Sequence, residues 1–416
     1  MIERPNRMTI PRPNRATDIP RPNRATYSPR PNRAIYLDNQ ATTACDPRVV
    51  QAMLPFFTEH FGNPHSAEHA MGRFAEAAVE TARGQVAALI GAEPREMVFT
   101  FGATESNNIA IKGAARHAVQ MGDARRRLIT VATEHKCVLE SVADLVAEGF
   151  EAVVLPVRPD GMLDPAVLQA ALEVPTLLVS VMAVNNETGV IQDIAGLAAL
   201  AHAAGALFHT DAAQAAGKIK LDVAEAGIDL LSISGHKLYG PKGIGALYVR
   251  RRPRVRLVAL FSGGGQERGV RPGTLAAPLI VGLGEACRIA AAEMADDNTR
   301  IAALRDRLLA GLSAHIAGIR LNGDPVRRIA GNLNLTFPGA TAQHLMAASP
   351  DLCVSTGSAC SSAEVEPSYV LRALGLADDA AARSLRIGIG RFTSAIDIDT
   401  AAALLVRAHN AARTEA

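Results

Sequence analysis

The sequence predicts an α/β fold: a large domain on a mostly parallel sheet covered by helices, followed by a smaller α+β C-terminal domain. Three observations carry this. From residue 35 onward, short and nearly continuous apolar runs alternate with Ala-rich stretches of helical period, the pattern of strands buried on both faces. Polar motifs follow directly on several of those strands, where ligands sit in such folds. Near residue 290 the texture changes: one long helical stretch leads into a few strands broken by a Gly/Ser-rich loop.

Taken in order, strands are expected at Met97–Phe101, Leu128–Thr133, Ala152–Leu155, Leu177–Val181, Ala206–Thr210, Leu230–Ser234 and Gly245–Val249. Helical patterns lie between them, at Ser106–Gln120, Val138–Ala147 and Ile194–Ala204. The smaller domain reads as a helix at Asn298–Ile316, a strand at Asn332–Phe337, the loop Ser355–Ser362, a helix near Pro367–Leu374, a strand at Ser384–Ile389 and a last helix near Ile396–Ala412. The expected boundaries are a tail to residue 34, a segment 35–45 packing with the small domain, a large domain 46–290 and a small domain 291–416.

The chain has 416 residues, long enough to bury a large core without staples. Its 43 basic and 41 acidic residues leave +2, too near balance for a nucleic-acid partner to be expected. No apolar run reaches the roughly 18–20 residues that span a bilayer, so no membrane helix is expected. Five cysteines at 45, 137, 287, 353 and 360, with no C-x-x-C among them, suit free thiols in a reducing, cytoplasmic compartment. The first 34 residues stand apart. Arg-Pro-Asn-Arg begins at Arg4, Arg12, Arg21 and Arg30, and eight arginines against Glu3 and Asp18 give this stretch +6. Repeated prolines forbid a continuous helix. The stretch reads as a disordered tail, with an inert extension, a targeting segment and a polyanion-binding arm as its alternatives.

Five motifs carry chemistry. Ser234-Gly-His236-Lys237 closes an apolar strand, and a lysine placed there can form a Schiff base; the alternative is a surface lysine beside a turn. Asp211, in Thr210-Asp-Ala-Ala-Gln214, can pair with a protonated pyridine nitrogen or simply cap the next helix. Phe101-Gly-Ala103-Thr104-Glu-Ser106 joins a strand to a helix through small residues, which makes an anion site of backbone N–H groups and a hydroxyl. No G-K-[ST] follows, so it is not a P-loop. His135 suits a stacking or proton-moving imidazole, or an ordinary loop histidine. Cys360, within Ser355-Thr-Gly-Ser-Ala-Cys-Ser-Ser362, is either an accessible nucleophile on a mobile loop or an incidental cysteine in a Ser-rich linker. Cys353 and Cys360 lack partners at zinc-ligand spacing.

Together these motifs resemble the pyridoxal 5'-phosphate (PLP)-dependent cysteine desulfurases of fold type I, the NifS/IscS branch of the class-V aminotransferase family, across residues 36–410 or so. The matching stretches include Tyr36-Leu-Asp-Asn-Gln-Ala-Thr-Thr43, Phe61-Gly-Asn-Pro64, Gly102-Ala-Thr-Glu-Ser-Asn107, Val184-Asn-Asn-Glu-Thr-Gly189, Ser234-Gly-His-Lys237, Gly263-Gly-Gly-Gln-Glu-Arg268 and Gly357-Ser-Ala-Cys360. The long loop, followed by Glu366-Pro-Ser-Tyr-Val-Leu371, is similar to the long-loop group I.

The resemblance implies a Schiff base on Lys237, Asp211 at the pyridine nitrogen, and Gln214 and Asn186 beside the phenolic oxygen. It puts His135 stacked on the ring and Ala103, Thr104, Ser234 and His236 at the phosphate. Thr274 is implied at the phosphate of a neighbouring subunit, hence a homodimer. Arg386 would clamp the substrate carboxylate, also neighboured by Asn186. Cys360 would take the sulfur of L-cysteine as a persulfide and pass it to an iron–sulfur scaffold protein or other acceptor. No resident metal is implied, with Cys360 at most a transient iron–sulfur ligand. Selenocysteine lyases and aminotransferases on the same fold are the alternative activities. Gln40, Thr356 and Pro272 depart from the common pattern without touching an expected catalytic position.

Overall fold

The computed structural model describes residues 34–357 and 367–414. The strands are β1 (Ile35–Tyr36), β2 (Met97–Thr100), β3 (Arg127–Val131), β4 (Glu151–Leu155), β5 (Thr176–Ser180), β6 (Leu207–Asp211), β7 (Leu230–Ser234), β8 (Gly245–Val249), β9 (Arg320–Leu321), β10 (Asn332–Thr336), β11 (Leu352–Cys353) and β12 (Ser384–Gly388). Seven of them form one sheet in the order β2-β8-β7-β6-β5-β3-β4. All neighbours in it pair in parallel except β8, which runs antiparallel to both β2 and β7. β2, β5 and β7 are buried at every position, the sign of a sheet covered on both faces. The expected α/β class therefore stands. Strand ends differ from expectation by one or two residues.

Two apolar layers cover the sheet. One packs Val79, Val86, Ile280 and Leu283 against Phe99, Val179 and Phe208; the other packs Ile109, Val138 and Leu145 against Val98, Leu128 and Leu247. A separate three-stranded antiparallel sheet, in the order β12-β10-β9, has its own core of Leu37, Leu308, Leu333, Leu385 and Leu405. Residues from Ile35 onward form one compact unit.

The helix expected at Asn298–Ile316 is instead Ala277–Ser313. It crosses the boundary expected at 290/291, lending Leu283 and Ile289 to the first core and Ile301 to Leu312 to the second. Its first half, which no expectation covered, carries Gly282 and Gly284, residues of low helix propensity. They are contact points: a Cβ at Gly284 would stand 2.6 Å from Ala82 Cα, and one at Gly282 would stand 2.5 Å from Met53 Sδ. Close approach of this helix to Ala70–Leu89 requires glycine there, and tertiary packing overrides propensity. Helix Ala70–Leu89 was not expected from the sequence.

The segment after residue 34 touches both sheets, not the smaller one alone. β1 pairs in parallel with β11, and Asn39 Nδ2 donates to Gly388 O at 2.7 Å. Thr43 N and Oγ1 both donate to His236 O at 2.9 Å, beside the large sheet.

Candidate active site

The strands β2, β3, β5, β6 and β7 run in one direction, so their carboxyl ends share an edge. Each hands the chain to one of the expected site residues. Asp211 is the last residue of β6 and lies opposite Ser232 of β7. Lys237 follows three residues after β7 ends at Ser234. Thr133, Glu134 and His135 follow β3, and Asn186 follows β5.

Asp211 is 5 % exposed. Its Oδ2 accepts from Asn107 Nδ2 at 2.7 Å, and its Oδ1 accepts from Ala213 N at 2.8 Å. The second bond closes a local turn, since no helix follows Asp211 for it to cap; the first comes from Asn107 in the helix Ala103–Gln120. Burial holds the His135 imidazole below its ordinary range; the Asp211 carboxylate opposes this and the Lys237 charge adds to it. His135 therefore faces both and is neutral near pH 7. Its Nδ1 accepts from Cys137 N at 3.2 Å and lies 3.1 Å from Cys137 Sγ.

His236 and Lys237 form one tight turn. Burial pushes His236 down to about 4, aided by the charges of Lys237, Lys242 and Lys218, so this edge of the sheet is electropositive around a neutral ring. Thr42 Oγ1 lies 3.0 Å from His236 Nδ1. Two residues past Lys237 the chain bends at Tyr239, whose φ of 65° is unusual for a residue with a side chain. Its hydroxyl accepts from Arg391 N at 2.6 Å, and its amide donates to Thr43 Oγ1 at 2.9 Å. The lysine thus emerges from a bend held on both sides.

Ala103 and Thr104 open an 18-residue helix, three residues earlier than expected, so the start of the anion motif is the helix terminus itself. A Cβ at Gly102, just before it, would meet nothing within 4 Å. Open space in front of a long helix's first amides is what a phosphate monoester needs. Gln214 is buried. One of its Nε2 protons goes to Gln40 O at 2.8 Å, and its Oε1 accepts from Lys218 Nζ at 2.8 Å. Asn186 Oδ1 is buried without a hydrogen-bond partner, an acceptor aimed into the site. A polarised pyridinium ring with its phosphate is matched by this donor and acceptor set.

Arg386, in β12, is 2 % exposed. Nη2 donates to Asp38 Oδ1 at 2.8 Å, and Nη1 donates to Asn186 O at 3.1 Å and Gly357 O at 3.2 Å. Thr274 stands apart from this cluster. It is exposed, makes no side-chain hydrogen bond among the described residues, and lines a surface cleft with Phe56, Phe61, Asn63 and Pro64. Cys360 lies outside the described residues, as does the repeat tail.

Sequence reasoning gave no role to Asp38, Thr42, Asn107, Lys218 or Glu187. Polar residues in Tyr36–Thr43, directly after the first strand, were the available signal for the first two. Asn107 had none, since one turn into a helix it reads as ordinary. Among the described residues no group of three His, Cys, Asp or Glu side chains is placed to hold a metal ion.

The aminotransferase class-V family model matches residues 35–400. The cysteine desulfurase IscS of Rickettsia bellii is 54% identical over 370 residues, 89% of this chain and 90% of that protein. A protein of Arthroderma benhamiae named "Cysteine desulfurase, mitochondrial" is 57% identical over 364 residues, 88% of this chain and 72% of that protein. A solved structure described as a NifS-like protein superposes with a TM-score of 0.83 at 33% identity, covering 90% of this chain and 98% of that one.

Proposed function

Because this chain belongs to the aminotransferase class-V family, and within it to the cysteine desulfurases, we propose that it takes the sulfur of L-cysteine with PLP, releasing L-alanine and holding the sulfur as a persulfide on Cys360. The observation that carries the reading is the buried Asp211 carboxylate at the end of β6, beside the turn that presents Lys237 at the end of β7.

When bound, PLP supplies an electron sink for the pair left behind as the substrate Cα loses its proton. The chain's own groups do the rest. Lys237 holds the cofactor by its amine and moves the Cα proton. Asp211, oriented by Asn107, holds a proton on the pyridine nitrogen by its charge. Neutral His135 stacks on the ring, which a charged imidazole would do poorly beside a pyridinium. The amides at Ala103 and Thr104, with Ser234 and His236, take the phosphate. Gln214 and Asn186 serve the phenolic oxygen, Asn186 by its amide. Arg386 clamps the substrate carboxylate, exchanging its Asp38 partner for it. The Cys360 thiolate attacks the substrate sulfur, the Cβ–S bond breaks with its electron pair left on Cβ, which takes up a proton to become the methyl group of L-alanine, and an S–S bond forms on the enzyme. An iron–sulfur scaffold protein or another thiol acceptor then takes the sulfane sulfur.

A homodimer is part of the same reading. Phe57, Phe61 and Phe74 are exposed around the cleft that Thr274 lines, and Phe56 stacks on Phe74 at 6.2 Å. A second copy would cover this face and receive Thr274 at its phosphate. The large domain holds the cofactor and the small domain carries the Cys360 segment and Arg386. The free thiols at Cys45, Cys137, Cys287 and Cys353 suit a reducing compartment, and we place the enzyme in the cytoplasm. No helix of the described residues is long and apolar enough to cross a membrane.

The test is the visible spectrum of the purified protein with an assay of L-cysteine turnover. A Schiff-base band that disappears in Lys237→Ala, and alanine and sulfide released in equal amounts, are expected. Turnover of selenocysteine alone, or transamination without sulfide, would overturn the reading.

A further inference from the structure

The two ends of the Cys360 segment meet at one buried side chain, Glu187, which is 1 % exposed. At the far end, Ser368 donates its hydroxyl to Glu187 Oε2 at 2.5 Å. The same oxygen accepts the proton while Ser368 Oγ caps the helix Tyr369–Ala373 through Leu371 N at 3.2 Å. At the near end, Gly357 presses on the same carboxyl: a Cβ there would stand 2.5 Å from Glu187 Oε2. Its φ of +100° excludes other residues as well.

The Glu187 backbone is hydrogen-bonded on both sides. Its N–H donates to Asn185 Oδ1 at 2.9 Å, and its carbonyl accepts from Asn332 Nδ2 at 3.1 Å and Asn334 Nδ2 at 3.3 Å. The neighbouring carbonyl, of Asn186, accepts from Arg386 Nη1, which also reaches Gly357 O. Ser355 exchanges both backbone bonds with Arg386, at 3.2 and 2.7 Å. The near end is therefore tied to the residue assigned to the substrate carboxylate. Cys360 is three residues beyond Gly357, a tether that spans at most about 10–11 Å.

Resting on the reading that Cys360 accepts the sulfur, we propose that Glu187 is a positioning residue for sulfur transfer. Its carboxyl bonds Ser368 and packs closely against Gly357, so that both ends of the Cys360 segment stay beside the turn that carries Asn186 and the thiol is on a short tether to the substrate. Fixing both ends removes arrangements in which the thiol is out of reach, and proximity of this kind acts on the rate of attack rather than on substrate binding. Burial pushes the carboxyl up to about 7, with Ser368 and Arg386 acting the other way. A neutral amide that keeps an oxygen for the Ser368 hydroxyl is therefore a close replacement.

The test uses the full-length PLP-loaded enzyme mixed with L-cysteine, following the cofactor spectrum, steady-state turnover and persulfide on Cys360 by alkylation and mass spectrometry. Glu187→Ala should keep the cofactor band and the KM for L-cysteine, yet lose about tenfold or more in kcat and in the rate of persulfide formation. Glu187→Gln should stay within about threefold of the parent. Ser368→Ala, which frees only one end, should show the same split to a smaller extent. Persulfide forming at the parent rate in Glu187→Ala, loss of the cofactor band, or equal damage from Gln and Ala would overturn the proposal. A parent enzyme that forms no persulfide on Cys360 would instead overturn the functional reading beneath it.

Discussion

In the proposed mechanism Asp211 and Cys360 divide the chemistry between them: one serves the pyridine nitrogen, the other takes the sulfur. Asn107 and the Ala213 amide both donate to the Asp211 carboxylate and fix its orientation. Its replacement by alanine should lower kcat by at least about 10²-fold, about 3 kcal/mol of transition-state stabilisation, with a smaller effect on KM. Steady-state kinetics on L-cysteine check this. The other cysteines make useful controls. Cys287 is fully buried, and burial pushes its thiol up to about 12, so it is inert at neutral pH. Cys360→Ala should retain the cofactor band and release almost no sulfide. Cys287→Ala should stay within a factor of a few in turnover. Near-parental sulfide release from the first variant would remove Cys360 from the mechanism.

At the scale of elements, the carboxyl edge depends on what holds the strands and loops in place. Arg83, in the helix Ala70–Leu89, pairs with Glu267 through two bonds of 2.8 Å and reaches Met97 O at 3.0 Å; its guanidinium lies over Phe99 at 4.6 Å. Glu267 Oε2 also accepts from Phe99 N at 2.7 Å. This pair ties the Gly263–Thr274 loop to β2. Glu267→Ala leaves the buried guanidinium with only the exposed Glu80 carboxylate, 2.9 Å from its Nε, and should cost about 3 kcal/mol in denaturant unfolding. A cost under about 1 kcal/mol would show that water replaces the carboxylate. Across β5, β6 and β7, His209 lies 2.8 Å from Ser180 Oγ and 3.2 Å from Ser232 Oγ, and burial pushes it down to about 4. Its ordinary value is 6.5, so below that pH the unfolded chain binds the proton more readily. The stability it contributes is complete above about 6.5 and is lost as pH falls toward 4. The gap in urea midpoint between the parent and His209→Gln should accordingly shrink from pH 7 to pH 4.5. A gap that widens would mean that His209 is not the neutral group described.

For the whole molecule, the sequence predicts that the repeat tail is dispensable for catalysis. The repeats carry +6 and no apolar face, and the first hydrogen-bonded strand begins at Ile35. Deleting residues 2–28 should leave cofactor absorption, L-cysteine turnover and the sedimentation coefficient expected for a dimer in place. Loss of cofactor or of dimerisation would give the tail a structural role. A salt-sensitive loss of nucleic-acid binding alone, with turnover intact, would favour a polyanion-binding arm.

The sequence by itself determined the α/β class and most strand positions in the large sheet, and it marked Asp211, Lys237 and His135 as residues to watch, whereas Arg386 entered only through the family resemblance. Each of those signals is local: an apolar run of fixed length followed at once by a polar motif. Only the tertiary structure decided which residues hold the motifs in place. Asn107 reaches Asp211 across 104 positions, Gln40 meets Gln214 across 174, and Glu187 touches Ser368 across 181. No periodicity marks such pairs, because each partner is an ordinary polar residue of its own element until the strands are assembled. The long helix Ala277–Ser313 illustrates the same limit from the other side, since only its second half was expected and its first half carries Gly282 and Gly284. They are spacers for a neighbouring helix, and their reason is the 2.6 Å that a Cβ at Gly284 would leave to Ala82.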